Sequence, residues 1–203
     1  MRIRPNLKFN MQPLESPPQS SIGFKEWQVI CDALATGRQS ILLRKGGLHE
    51  GRQGFSFAHS SFFLFPTRFH AHSDQVREGE VQVLPEWQAG DEIRITHHAE
   101  TLWAVTLTDW AKVSALQPHH IYEDATVHER FDWQGEGMAS GSIHVALVRV
   151  RKLAVPWCFP YETSYGGCRS WIQLPAPPAA WLESAQPVLD DDRFAGLAGE
   201  LGI

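Results

Sequence analysis

The sequence predicts an α+β domain, a curved and mainly antiparallel sheet or β-barrel of about five to seven strands with peripheral helices. Three observations carry that expectation. Beyond residue 78, several runs of strand length are rich in Val, Ile, Thr and Trp. Near the start of the chain, apolar residues recur at steps of three and four, the spacing of a helix face. Between two of the later runs, Ala89-Gly90-Asp91 supplies a turn signal of the kind that joins antiparallel neighbours.

The elements follow in order. Residues 1–22 carry Pro5, Pro13, Pro17 and Pro18 among Ser and Gln and read as a flexible arm, which leaves 23–203 as one globular domain. Phe24, Trp27, Cys31 and Leu34 fall on one face of a short helix, stopped by Gly37. Residues 38–44 read as a strand, followed by a glycine loop over 45–54. Phe62 to Phe65 form a short buried strand closed by Pro66. Strands are expected over 80–84, 92–98, 102–110 and 142–152, and a helix over 123–131. Residues 175–178, Pro-Ala-Pro-Pro, break the chain before a final acidic helix over 190–201, whose Asp190 to Asp192 suit its positive end.

Composition bounds the class. The chain has 203 residues, 43% hydrophobic and 20% charged, enough to bury a core without disulfides or metal. The net charge of −5 excludes a basic nucleic-acid coat. The balance is uneven, however. Residues 1–77 hold ten basic and five acidic side chains, while 78–203 hold eight and eighteen. A polyanion would meet the first third, and a basic protein partner the acidic C-terminal half. Cys31, Cys158 and Cys168 form no CxxC pair, which argues against a secreted disulfide framework and a thiolate zinc site. No apolar run approaches the roughly 18 residues of a membrane span, and the N-terminus lacks an apolar signal core, so the expected location is the cytoplasm.

Two constellations carry candidate chemistry. Arg38, Arg44, Lys45 and Arg52 lie close together, opposed locally only by Glu50. Arginine makes bidentate contacts to phosphate, and glycines let backbone N–H groups approach it. The plainer reading is a solvated loop, with Arg44 paired to a carboxylate from the acidic half. Lys45-Gly46-Gly47 lacks the spacing of a P-loop. Further on, Tyr161, Tyr165, Cys168, Arg169, Ser170 and Trp171 combine aromatic faces, a guanidinium and small polar groups after a glycine turn, a mixture that suits stacking and reading a base. The alternative is that Trp171 fills the core and Arg169 bridges to an acid. The glycine loop over 45–54 and the 165–171 block are expected to face each other across one cleft, and Glu50, His59, His70 and Cys168 are the candidates for a polar pocket. Cys168 as a nucleophile would need a neighbouring base.

The other candidates carry less. His70-Ala71-His72, His97-His98 and His119-His120 lack helical metal spacing and read as surface histidines, so no metal or other cofactor is expected. A nuclease needs clustered carboxylates with a lysine. Asp91-Glu92, Glu123-Asp124 and Glu129 are available, but no acid-x-Lys pattern follows them.

Four blocks also resemble a known family. Phe24-Lys25-Glu26-Trp27, Leu-Leu-Arg-Lys-Gly-Gly-Leu-His-Glu over 42–50, Phe-Phe-Leu-Phe-Pro-Thr over 62–67 with His70, and Tyr-Gly-Gly-Cys-Arg-Ser-Trp over 165–171 resemble the bacterial domain-of-unknown-function family 1802. The resemblance covers 24–203. It departs at His70-Ala71-His72, where the family pattern has His-Gln. It implies a nucleic-acid context through the family's link to restriction-endonuclease domains of the Mrr class, and with it an accessory role in a restriction, defence or modification system. The order of residues 37–44, 90–95 and 103–113 is similar to ASCH domains of the PUA-like barrel superfamily, which implies a barrel that binds RNA or modified bases. In the ASCH amidohydrolases the catalytic Lys and Thr would fall here on Gln39 and Leu42, which cannot do that chemistry. The expected function is therefore non-catalytic recognition of a nucleic acid or nucleotide, RNA or single-stranded DNA, with no catalytic residue assigned. The alternatives are a hydrolase or nuclease using a His/Cys/Arg pocket, and a protein-interaction module.

Overall fold

A computed structural model describes residues 21–45, 56–68, 75–77, 79 and 84–202. Strand β1 (Ile22–Trp27) leads directly into helix α1 (Gln28–Ala35), and β2 (Ile41–Lys45) and β3 (Ser61–Thr67) follow. The long β4 (Glu92–Leu107) is succeeded by α2 (Trp110–Ser114) and α3 (Asp124–Phe131). The equally long β5 (Ile143–Pro160) precedes β6 (Trp171–Gln173), α4 (Trp181–Ser184), β7 (Gln186–Pro187) and α5 (Asp191–Glu200). The sheet runs β2-β5-β4-β3-β1-β6, with β7 pairing β5 off this path. Only β1 and β3 are parallel among the described pairs. The fold is thus α+β on a curved, mainly antiparallel sheet.

Phe24 corrects the expected helix face. It sits in β1 and only Cys31 and Leu34 of the four lie inside α1, with Trp27 at its N-cap. Pairing overrides the spacing, because β1 is held between β3 and β6, where Phe24 lies opposite Leu64 and Trp171. Phe24 and Glu26 then share one face of the strand and both are buried. Gly37 does end the helix region. Its φ is +71°, and an added Cβ would lie 2.6 Å from Leu189, so glycine is required there on both counts.

The strands expected over 92–98 and 102–110 are one strand, irregular between Ile95 and His97 and between Thr101 and Trp103. Such bulges bend a strand without ending its ladder. The 110 end is instead helical, since Asp109 caps α2 by accepting from Ala111 N at 2.9 Å. β5 runs past 152 to Pro160 because Trp157 and Phe159 continue a second core with Ile93 and Ile95. Pro66 lies inside β3 rather than closing it, in the part that pairs with β1 beyond the Ser61–Phe63 ladder to β4. A missing N–H is tolerated on such an edge-like stretch. The arm over 1–22 lies, apart from residues 21 and 22, outside the described residues. So do the loop over 46–54 and the strand expected over 80–84, apart from Leu84.

The main core joins α1, β2, the first half of β5, α3 and α5, and the second lies around Phe63, Phe65, Trp157 and Tyr165. Backbone pairing leaves the sheet open between β2 and β6. Its curl is drawn in by Arg44 of β2, whose Nη1 lies 2.9 Å from Glu26 Oε2 and whose Nη2 donates to Lys25 O, both on β1. No helix among the described residues is long and apolar enough to cross a membrane.

Candidate nucleotide-binding cleft

Helix α3 and the turn after it place Thr126, Glu129, Arg130 and Trp133 at i, i+3, i+4 and i+7, one face of a helix. The opposite side carries Val127 and Phe131 into the main core. Asp132 shapes the turn that follows: its carboxylate accepts from Gly137 N at 2.9 Å and its carbonyl from Gly135 N at 3.0 Å. Facing α3 are the C-terminal ends of two strands, Trp27 of β1 with Arg44 and Lys45 of β2. Together with Gln75 these side chains enclose a half-open cleft of about 310 Å³.

Arg130 is the centre of the cleft. Its Nη1 donates to Leu43 O at 3.0 Å, and its Cζ lies 4.6 Å over Trp27 and 4.2 Å over Tyr122. Guanidinium faces sit well on such rings and keep their charge. Tyr122 itself is fully buried, with its phenol pushed up to about 12 by burial first and by the Glu26 charge second. Arg44 is largely committed inside the protein. Besides Glu26 and Lys25 O, its guanidinium covers the Phe24 ring at 4.5 Å. The ion pair is close but not aligned as a hydrogen bond, and Glu26 Oε2 accepts none from a described residue. With Arg44 neutralised by Glu26, the charges left at the cleft among the described residues are Lys45 and Arg130 against Glu129, a formal balance of +1.

The expected site residues divide. Arg44 and Lys45 line the cleft, though the acid that pairs Arg44 is Glu26 and not one from the C-terminal half. Arg38 does not join them. Its Nε bonds Thr36 Oγ1 at 3.1 Å beyond the C-terminus of α1, up to about 20 Å along the chain from Arg44 at a strand's ~3.3 Å per residue. Arg52, Glu50 and His70 lie outside the described residues, and with them most of the glycine loop expected to face the 165–171 block.

That block is mostly packed. Tyr165 is buried in the second core against Phe65, Phe159 and Tyr161. Ser170 is buried and its carbonyl accepts from Lys25 N at 2.8 Å. Trp171 lies 4.7 Å from Phe24, 5.1 Å from Phe62 and 4.9 Å from His59, with its indole N–H donating to Ser56 O at 3.2 Å. Arg169 meets no acid among the described residues: its Nη2 donates to Ser164 O at 2.8 Å. Cys168 is exposed. Lys25 ties the block to the cleft's edge, since its ammonium donates to Gly167 O at 2.6 Å while its carbonyl receives Arg44.

The surface reading of the histidines is overturned at three positions. His97, His98 and His120 are buried. Burial, the largest cause in each case, holds them down to about 4, about 3 and about 4, and neighbouring cations lower them further. His98 shares a hydrogen bond of 2.9 Å with Ser61 Oγ and packs 4.4 Å from Trp181. His97 and His98 are neighbours on β4 and lie on opposite faces, both covered: His97 shares a small cavity with Cys31 and Asp32 of α1, and His98 meets Phe63 and Trp181 at the second core. No three His, Cys, Asp or Glu side chains gather in metal-binding geometry among the described residues.

Residues 23–200 match the family described as Domain of unknown function (DUF1802). The chain belongs to this family. No curated protein matches the DUF1802 chain. Its fold is similar to the crystal structure of ASCH from Zymomonas mobilis, at 12% identity and a TM-score of 0.45 over 78% of this chain and 90% of that one. A serine-to-alanine variant of the same protein gives 11%, 0.46, 79% and 92%. Thr126, Arg130 and Trp133 of the DUF1802 cleft were not among the expected binding residues, and Glu129 was considered only as a nuclease carboxylate. The signal was present as four chemistry-bearing residues at i, i+3, i+4 and i+7, a spacing usually read only for apolar residues.

Proposed function

We propose that this chain is a non-catalytic recognition domain for a nucleotide or a short single-stranded nucleic acid, RNA or single-stranded DNA, bound at the α3 cleft. The observation that carries the reading is Arg130, stacked on Trp27 within a cleft that also presents Trp133 and Lys45. Indole faces stack bases, and cations at the rim meet phosphate. About 310 Å³ is at the small end of ligand sites, enough for one nucleotide unit. A cleft of that size takes an unstacked base and not a duplex, which favours single strands and free nucleotides.

The test is a fluorescence titration of the full chain, at low salt, with mononucleotides and short RNA and DNA strands. Tryptophans in the cleft report occupancy directly. Trp133→Ala is expected to cost about 1–3 kcal/mol of affinity if a base stacks there. Absence of binding by every nucleotide and strand at low salt would overturn the reading.

A further inference from the structure

The recognition reading above leaves open which base the cleft holds, and Glu129 bears on it. It is exposed on the cleft face of α3 and has no ion-pair partner among the described residues. A carboxylate is a poor neighbour for a phosphate. In a site that otherwise presents Lys45 and Arg130, it is suited to a part of the ligand that donates hydrogen bonds.

The four bases differ sharply in what they offer a carboxylate. Guanine presents two adjacent donors, N1–H and the N2 amine, whose spacing matches the two carboxylate oxygens. Adenine and cytosine place a ring-nitrogen acceptor beside their amine, which a carboxylate repels. Uracil has one N–H between two carbonyl oxygens. Two parallel bonds from a charged acceptor are stronger and more directional than one. The +1 balance among the described residues of the cleft fits a ligand carrying one phosphate better than a polyphosphate.

We propose that the cleft selects guanine in a monophosphate nucleotide or a single-stranded segment, with Glu129 accepting from N1–H and N2–H while Trp133 lies on the ring and Lys45 meets the phosphate. This rests on the nucleotide-recognition reading. Thr126, beside Glu129 on α3, and Gln75 complete the polar lining.

The experiment compares GMP, IMP, AMP, CMP and UMP on the wild-type chain and on Glu129→Gln, with circular dichroism to establish that the variant is folded. GMP is expected to bind about tenfold more tightly than AMP, CMP or UMP, as a well-formed bidentate pair allows. IMP, which lacks the N2 amine, should fall between. Glu129→Gln should bring GMP down to the level of AMP without weakening AMP, because the amide turns one acceptor into a donor. Equal affinity for all bases, or a guanine preference that survives Glu129→Gln, overturns the guanine assignment and leaves nucleotide recognition standing. No binding by any of the five nucleotides or by short strands removes the recognition reading itself.

Discussion

Two stretches of this protein carry much the same side chains and put them to opposite uses. The block from Tyr161 to Trp171 holds two tyrosines, an arginine, two serines and a tryptophan, the residues that made it a candidate base-reading pocket. The α3 cleft holds two tryptophans, two arginines, a lysine and a threonine. In the first, Tyr165, Ser170 and Trp171 face neighbouring strands, and the second core and Phe24 take up their surfaces. In the second, a helix stands off from two strand ends, and its polar face is left lining a cavity. The difference is one of placement. Aromatic and cationic residues recognise a ligand only where the backbone leaves a volume between them, and otherwise they pack.

The contrast can be broken most severely at the Glu26–Arg44 pair, which stands between the two regions. Glu26→Ala leaves the mostly buried Arg44 guanidinium without its carboxylate and is expected to cost about 3–5 kcal/mol of stability. Urea unfolding measures it. A cost below about 1 kcal/mol, the level of an exposed pair, would show that the β1–β2 bridge does not hold the curl.

Next in size is Tyr165→Ala, which empties part of the second core. About 3 kcal/mol of stability should go, with the nucleotide affinity of the folded protein unchanged. Loss of affinity with stability intact would return the binding role to the 161–171 block.

The histidines sharpen the comparison through pH. His120 lies 5.8 Å from Tyr122 beneath the cleft, and His98 lies 5.2 Å from Phe63 in the other core. Both are held below an ordinary histidine, as is His97. The unfolded chain therefore binds the extra protons. Stability is complete above about pH 6.5 and falls as pH drops through the folded values, about 4 for His97 and His120 and about 3 for His98, below which it levels. Each histidine contributes a slope of at most about 1.4 kcal/mol per pH unit. Melting curves at pH 7.5, 6 and 5 test this, and a melting temperature flat across that window would contradict the buried positions.

The smallest effects separate Lys45, at the C-terminal end of β2, from Arg38, which lies between α1 and that strand. Lys45→Ala should flatten the slope of log K against log salt by about 0.7 for a single strand. Arg38→Ala should leave that slope unchanged and shift stability by no more than about 0.5 kcal/mol. Equal salt effects at both positions would extend the phosphate path from the end of α1 along β2.

Much of the architecture was legible in the chain because it depends on local chemistry. Strand-length runs rich in Val, Ile, Thr and Trp announced the strands. Gly90-Asp91 announced a turn, and the acidic run at Asp190 announced the start of α5, whose Asp190 carboxylate accepts from Arg193 N at 2.8 Å. The basic pair Arg44-Lys45 was likewise visible, with its glycines. Helix α3 was legible as a helix, but the function of its polar face was not. Nothing local distinguishes a helix face turned to open solvent from one turned to a cleft.

Local pattern, then, determined the α+β class, the strand-rich second half and the basic end of β2, because those follow from side-chain periodicity and turn chemistry within a few residues. Tertiary structure decided the rest. It put Phe24 in a strand by pairing it with β3 and β6, and it covered both faces of β4, so that His97 and His98 are buried on opposite sides. It also gave Arg44 a partner 18 positions earlier, in Glu26, and set Arg130 over Trp27, more than a hundred residues away. These outcomes depend on which surfaces meet across long loops, and the energy of such meetings is written in no single segment of the chain.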